Sequence, residues 1–222
     1  MARKICWEIR LRIAAETAEA LPYLHSAASP PIIHRNIKTV NILLDQNYTA
    51  KISDFGASRL GPLDQNQLST MAQGTRGYLD PEVFQTFQLT EKGDVYHFGV
   101  VLVQLLAGKL PICFDRSEGE ISLSNHFLSS IKQNRLIEIL EEFMVSEENI
   151  EQLMQVARLA ERCWNVKGED RPSMKEVAMQ LMRLAFASMN NMVPSAEDYK
   201  EPPDKPLIKP SLHFWDGIVS VS

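Results

Sequence analysis

The chain has 222 residues, 45% of them hydrophobic and 23% charged, a composition that argues against a disordered protein and suits one globular domain with a tail. Its net charge of −5, with no basic block, indicates neither a nucleic-acid partner nor a membrane surface. Three widely spaced cysteines, Cys6, Cys113 and Cys163, argue against a disulfide framework or a zinc site and favour a reduced, intracellular setting. We predict no signal peptide, and the longest apolar run, near 100–106, is far short of the ~20 residues of a membrane span.

Apolar residues at helical spacing predict a first helix over 7–26. Pro22 should kink this helix or end it early, because proline removes a hydrogen bond and crowds the carbonyl of Ala18. Two short apolar runs, 42–44 and 50–52, flank a turn-like sequence and predict a small hairpin. The first quarter of the chain is therefore expected to contain one helix and one hairpin.

The stretch 53–82 has little periodicity and several glycines, which is typical of a long functional loop. The pattern then predicts further helices at 92–107, 124–133, 147–163 and from Ser173, which forms a capping box with Glu176, to about residue 187. The predicted fold class is thus mainly α with a small β-hairpin.

The composition changes from residue 190 onward. The remaining segment is polar and contains several prolines: Pro194, Pro202, Pro203, Pro206 and Pro210. Such a segment cannot bury enough apolar surface to form a core, so we predict a disordered tail over 190–222 behind a single domain over 1–189.

Short motifs follow one another in a specific order. They are His-Arg-Asn-Ile-Lys-Thr-Val-Asn at 34–41, Asp-Phe-Gly at 54–56, Gly-Thr at 74–75, Gly-Tyr-Leu-Asp-Pro-Glu at 77–82, Asp-Val-Tyr-His-Phe-Gly at 94–99 and Arg-Pro at 171–172. Each is weak alone, but together they resemble the C-terminal lobe of a protein kinase. Longer phrases, NILLDQNYTAKISDFGASRL and GTRGYLDPE among them, resemble plant receptor-like serine/threonine kinases of the wall-associated type. The resemblance covers roughly residues 7–187.

This resemblance implies ATP and Mg²⁺ as cofactors. Asp54 and Asn41 match the family's metal ligands, and both offer the hard oxygens that Mg²⁺ prefers. Lys38 matches the residue that stabilises the transferring phosphate, in a reaction whose catalysis is mostly positioning and charge neutralisation.

The resemblance also implies regulatory and specificity residues. Arg35 would pair with a phosphate on the activation segment, for which the arginine fork is suited. Thr75 matches a threonine that helps select hydroxyl substrates. Ser69 and Thr70 are candidate phosphorylation sites, although both are equally compatible with ordinary solvated loop residues.

Structural roles account for other motif residues. We expect His34 to pack and order the catalytic loop, Phe55 to belong to the core, and Asp94 to hold the loop backbone by hydrogen bonds. Glu82 and Arg171 are expected to form the family's buried ion pair, which is architecture and not catalysis.

Three departures from the family stand out. Asn36 occupies the position of the catalytic aspartate, and a neutral amide cannot accept the substrate's proton. No glycine-rich loop or strand lysine is found, and only 33 residues precede His34, so we expect the N-terminal lobe to be absent from this chain. Half of the ATP pocket would then be lost, and apolar surface would be exposed near the catalytic loop. His97 stands where related sequences carry a small serine.

Three hypotheses for function follow. The preferred one is a catalytically impaired pseudokinase module that binds a protein partner, such as a receptor-like kinase or its substrate, in the cytoplasm. The second is an active serine/threonine kinase, favoured by Lys38, Asn41, Asp54 and Thr75. The third is a truncated product without a function.

Overall fold

The computed structural model describes residues 5–26, 31–58, 77–78, 80–86, 90–112 and 122–191. The predicted site residues Ser69, Thr70 and Thr75 lie outside these ranges, as do Cys113 and the tail beyond residue 191.

The predicted class, mainly α with one small hairpin, is confirmed. The helices are α1 (Trp7–Ser26), α2 (Pro81–Thr86), α3 (Glu91–Ala107), α4 (Leu123–Lys132), α5 (Ile150–Cys163) and α6 (Met174–Asn191), and the strands are β1 (Ile42–Leu44) and β2 (Ala50–Ile52). The hairpin and first helix have the predicted bounds. Two differences are that α6 continues past residue 187 and that α2 begins inside the segment predicted as a loop.

Helix α1 does not end early at Pro22, which was one of the two outcomes predicted for this proline. The helix continues to Ser26, whose hydroxyl donates a hydrogen bond to the Pro22 carbonyl at 2.8 Å. Ala18 and Leu21, which precede the proline's turn, are completely buried, and α1 packs along α6. Burial of this apolar face offsets the hydrogen bond that proline removes, because most helical stability in proteins comes from tertiary packing.

Helix α3 runs through the centre of the described core and packs against α5. Their contact depends on Gly99, since a Cβ there would lie 2.8 Å from Nε1 of Trp164 and 2.9 Å from Cβ of Cys163. The Trp164 indole N–H donates to the Tyr96 carbonyl at 3.2 Å, which fixes the indole across the helix. Burial raises the pKa of the Cys163 thiol to about 12, as expected for a packing residue.

A buried arginine ties α1 to the C-terminal end of α3. Arg10 is 4% exposed and donates to the carbonyls of Ile5 at 3.0 Å and Leu105 at 2.8 Å. Its Nη2 also lies 2.7 Å from Oε2 of Glu141. The guanidinium therefore satisfies groups from three separate segments, a role that local periodicity does not reveal.

The hairpin lies against α1 and directly follows the loop over 34–41. Its strands are antiparallel with Ile42 opposite Ile52. The turn is closed by Asp45, whose Oδ1 accepts the N–H groups of Asn47 at 2.8 Å and Thr49 at 2.9 Å and whose pKa these bonds lower. No helix in the described ranges has the length and apolar character needed to cross a bilayer.

Candidate functional site

Asp94 of α3 anchors the start of the loop over 34–41 by hydrogen bonds to its backbone. Asp94 is fully buried, and its two carboxylate oxygens accept the backbone N–H groups of His34 and Arg35, each at 2.8 Å. Nε2 of His25, near the end of α1, lies 2.9 Å from the same carboxylate. The geometry is the one expected of Asp94, and it adds His25, which the sequence did not single out.

His34 orders the loop through both ring nitrogens. Burial lowers the pKa of its imidazole, which is therefore neutral near pH 7. Its Nε2 lies 3.1 Å from the Ser53 carbonyl, and its Nδ1 lies 3.3 Å from the Asn36 N–H. Because a carbonyl only accepts and an N–H only donates, the neutral ring carries its proton on Nε2. His34 thus connects the loop to the segment before Asp-Phe-Gly.

Three predicted site residues meet in one cluster. The Asn36 side-chain amide donates to Oδ2 of Asp54 at 2.7 Å, and the Asn41 amide donates to the same oxygen at 3.2 Å. Asn41 also donates to the Asn36 carbonyl at 2.8 Å. A carboxylate only accepts hydrogen bonds, so both amides must present their nitrogens to Asp54. The assignment leaves the Asn41 amide oxygen without a donor in the described part of the chain.

Two residues at this cluster, one of its members and one neighbour of Asn36, have an uncommon backbone conformation. Arg35 and Asp54 have φ values of 70° and 65°, in the left-handed region that few non-glycine residues occupy. Such conformations persist where the surroundings hold them, as Asp94 does for Arg35, and they concentrate at functional sites. Lys38 is half-buried, and its ammonium has no hydrogen bond or ion pair to any described residue.

Phe55 is not a core residue, and that prediction was wrong. Its ring contacts His34 edge-on at 4.9 Å but remains 47% exposed. Within the described ranges the helices lie beneath the loop over 34–41, so no described apolar layer covers a side chain on the outer side of this loop. Val40 and Leu43 are also about half exposed, at 46% and 50%. These values agree with the expectation of exposed apolar surface near the loop.

The ion pair of Arg171 has a different main partner from the one predicted. Its Nη1 and Nη2 donate to the two carboxylate oxygens of Asp80 at 2.5 and 2.8 Å, and both side chains are completely buried. Glu82 is 3.9 Å from Nη1, is partly exposed, and accepts the Gly168 N–H at 2.9 Å instead. Asp80 provides the paired geometry that the planar guanidinium fits best, so Glu82 is the secondary partner.

His97 fits inside the core, although it is larger than serine. It is 5% exposed, and its Nδ1 has no hydrogen-bond partner among the described residues. Burial lowers its pKa, while the nearby carboxylates of Asp94 and Asp80 act in the opposite direction. Helix α3 is continuous through this position. The substitution therefore leaves the fold intact and places an unpaired polar atom in the core.

A hydrogen-bonded contact between Tyr78 and the loop over 34–41 was not predicted. The Tyr78 hydroxyl lies 3.4 Å from the Thr39 N–H and donates to the side-chain oxygen of Gln104 on α3. Burial raises the pKa of Tyr78, so the phenol stays neutral. The end of the activation segment is thereby connected to the loop through a buried hydroxyl. The Gly-Tyr-Leu-Asp-Pro-Glu motif contained this signal, but nothing in it identified the partners.

The comparison with known proteins agrees with this geometry. The protein kinase domain family matches residues 6–182. The chain is 56% identical over 180 residues to Wall-associated receptor kinase 5 of Arabidopsis thaliana, a match covering 81% of this chain and 25% of that protein. It is 51% identical over 201 residues to Wall-associated receptor kinase-like 1 of the same plant, covering 90% and 27%. The chain thus spans about a quarter of the length of these relatives. Since the family match extends over most of its length and includes the loop and its supports, the chain belongs to the protein kinase family.

Proposed function

We propose that this chain is a catalytically impaired kinase module that acts by binding a protein partner. The observation that carries the proposal is the 2.7 Å hydrogen bond from the Asn36 amide to Asp54. At the position where the family has a general base, this chain presents an N–H donor. The donor is already engaged with the residue that matches the metal ligand.

The chemistry of that hydrogen bond explains the impairment. An aspartate at position 36 would accept the substrate's proton and would be repelled by the Asp54 carboxylate. The Asn36 amide is attracted to Asp54 instead, and its oxygen is far less basic than a carboxylate oxygen. Loss of a positioned general base costs about 10²–10⁴-fold in rate.

Nucleotide binding is a separate question from catalysis. Asp54 and Asn41 both carry hard oxygen atoms, and their side chains lie within 3.2 Å of each other, so these two residues would hold a Mg²⁺ ion. The Lys38 ammonium, which has no partner among the described residues, would meet a phosphate. When bound, Mg²⁺ would neutralise phosphate charge.

The alternative function is an active serine/threonine kinase. The proximity of Asn41 and Asp54 favours it, because the two candidate metal ligands already lie together. Asn36 opposes it. A third possibility, a product without a function, predicts a chain that neither melts cooperatively nor binds a kinase.

The partner we propose is a receptor-like kinase or its substrate, met in the cytoplasm. Support comes from the apolar side chains of Val40, Leu43 and Phe55, each about half exposed on or beside the catalytic loop. Exposed apolar groups of this kind are typical of surfaces that bind proteins. The wall-associated relatives are receptor kinases by name, so a kinase of that type is the first partner to test.

Calorimetric titration of the chain into the kinase domain of a wall-associated receptor kinase tests this function. We expect saturable binding that Leu43→Glu weakens at least about tenfold, the effect of about 1.4 kcal/mol. Ile137→Glu is the matched control, since Ile137 is 58% exposed but distant in sequence from the loop. No binding by the natural chain, or equal weakening by both variants, would overturn the proposed surface.

A thermal melt with and without Mg²⁺-ATP separates the alternatives, because a ligand of the folded state raises the melting temperature. A rise that Asp54→Ala abolishes would show nucleotide bound at the site and would support a phosphotransfer assay. A cooperative melt unaffected by Mg²⁺-ATP would favour the module that only binds protein. A melt without cooperativity would favour the third possibility.

A further inference from the structure

Helix α6 presents an exposed apolar stripe on its outer side. Met179, Met182 and Phe186 are 52%, 43% and 66% exposed. They are spaced i, i+3 and i+7, so they lie along one face of the helix. The opposite face is buried against α1, with Val177 and Leu181 completely inaccessible. The helix is thus apolar on two sides, and one of them is uncovered by any described residue.

The composition of the stripe's border limits what could cover it. Arg183 is exposed beside the stripe and forms no ion pair with a described residue. Glu176, at the start of the helix, is already engaged by the Ser173 N–H at 2.7 Å. An occupant should therefore be apolar, with an acidic group that can approach Arg183.

A segment with this composition occurs further along the same chain. Between residues 212 and 221 six of ten side chains are apolar: Leu212, Phe214, Trp215, Ile218, Val219 and Val221. The only charged residue there is Asp216. The residues that join it to the helix, 192–211, include seven charged side chains and all five of the tail's prolines. The tail therefore divides into a polar tether and an apolar end.

The length of the tether allows the apolar end to reach the stripe. A chain of 20 residues without regular structure would span roughly 25 Å on average. Helix α6 has 18 residues and a length of about 27 Å, and Phe186 lies within two turns of its end. A tether of this length gives an effective concentration of about 1 mM.

We propose that residues 212–221 fold back and dock on the α6 stripe formed by Met179, Met182 and Phe186. Trp215 and Phe214 cover the apolar side chains, and Asp216 approaches Arg183. At ~1 mM effective concentration, an intrinsic dissociation constant of ~100 μM keeps the segment docked about 90% of the time. The proposal concerns a surface away from the catalytic loop and does not depend on the proposed function.

Hydrogen exchange of the full chain, followed by mass spectrometry, tests the docking. We expect amides in 212–221 to exchange about tenfold more slowly than an unstructured peptide, at a rate independent of protein concentration. The double variant Met182→Glu/Phe186→Glu should restore the unstructured rate. The control Ile137→Glu changes an apolar side chain that is exposed to a similar extent elsewhere and should leave the protection unchanged.

Exchange within α3 in the same samples reports whether each variant is folded. Unstructured exchange of 212–221 in the natural chain would overturn the proposal. So would protection that survives the double variant while α3 remains protected. Protection that grows with protein concentration would overturn it too, because the segment would then be bound by a second copy.

Discussion

The Asp80–Arg171 pair gives the most quantitative prediction. Arg171→Met preserves much of the side-chain volume but removes all five hydrogen bonds of the guanidinium, two of them to Asp80 and three to backbone carbonyls. Asp80, 1% exposed, would keep one described donor, the Glu82 N–H at 2.9 Å. An unpaired buried charge typically costs 3–5 kcal/mol, so we expect the free energy of unfolding to fall by about that amount.

Urea unfolding followed by circular dichroism measures this change. Arg135→Met is the control, because its pair with Glu138 is exposed and such pairs contribute about 0–1 kcal/mol. Glu82→Gln tests the secondary partner and should also cost no more than about 1 kcal/mol, since Glu82 lies 3.9 Å from the guanidinium and remains partly solvated. A loss for Arg171→Met as small as that of the control, or a larger loss for Glu82→Gln, would refute the assignment of Asp80 as the main partner.

Further predictions concern packing, capping and pH. Gly99→Ala should lower the unfolding free energy by about 1–3 kcal/mol, because its Cβ would overlap Trp164; an unchanged urea midpoint would contradict this. Ser173→Ala should lower the unfolding free energy by about 1 kcal/mol, because it removes the helix cap that Ser173 and Glu176 form together. A urea midpoint equal to that of the natural chain would argue against this cap. His97 has a lowered pKa in the folded chain, so the unfolded chain binds its proton first as the pH falls below about 6.5. Stability should then drop by up to about 1.4 kcal/mol per pH unit, and His97→Ser should reduce the slope measured between pH 7 and 5, whereas identical slopes would exclude a contribution from this residue.

The sequence predicted those features that depend on local pattern. The apolar pattern over 92–107 predicts helix α3, and the Ser173–Glu176 capping box is present with both reciprocal contacts. The kinase resemblance implies that Asn41 and Asp54 are metal ligands, and their side chains lie within hydrogen-bond distance of each other. In these cases the determining interactions are either within a few residues or fixed by the family's fold.

The predictions that failed concern contacts between residues that are distant in sequence. Where two side chains have the same chemistry, only the folded structure shows which of them makes the contact. Asp80 and Glu82 are both carboxylates near one proline, and only the folded geometry selects Asp80 for Arg171. The Arg10–Glu141 pair joins segments that no periodicity connects. The continuation of α1 past Pro22 also depends on a contact that local propensity does not contain, the packing of α1 against α6. Phe55, which we expected in the core, is 47% exposed, and no feature of its local sequence distinguishes it from a buried phenylalanine.

The central claim is that Asn36 deprives this kinase module of its general base. The most direct measurement joins the chain to the N-terminal lobe of a wall-associated receptor kinase and compares phosphate transfer by the natural sequence, Asn36→Asp and an Asp54→Ala control. We predict that Asn36→Asp increases the rate at least about 10²-fold over the natural sequence and that Asp54→Ala abolishes transfer. A natural sequence that transfers phosphate as fast as Asn36→Asp would contradict the account.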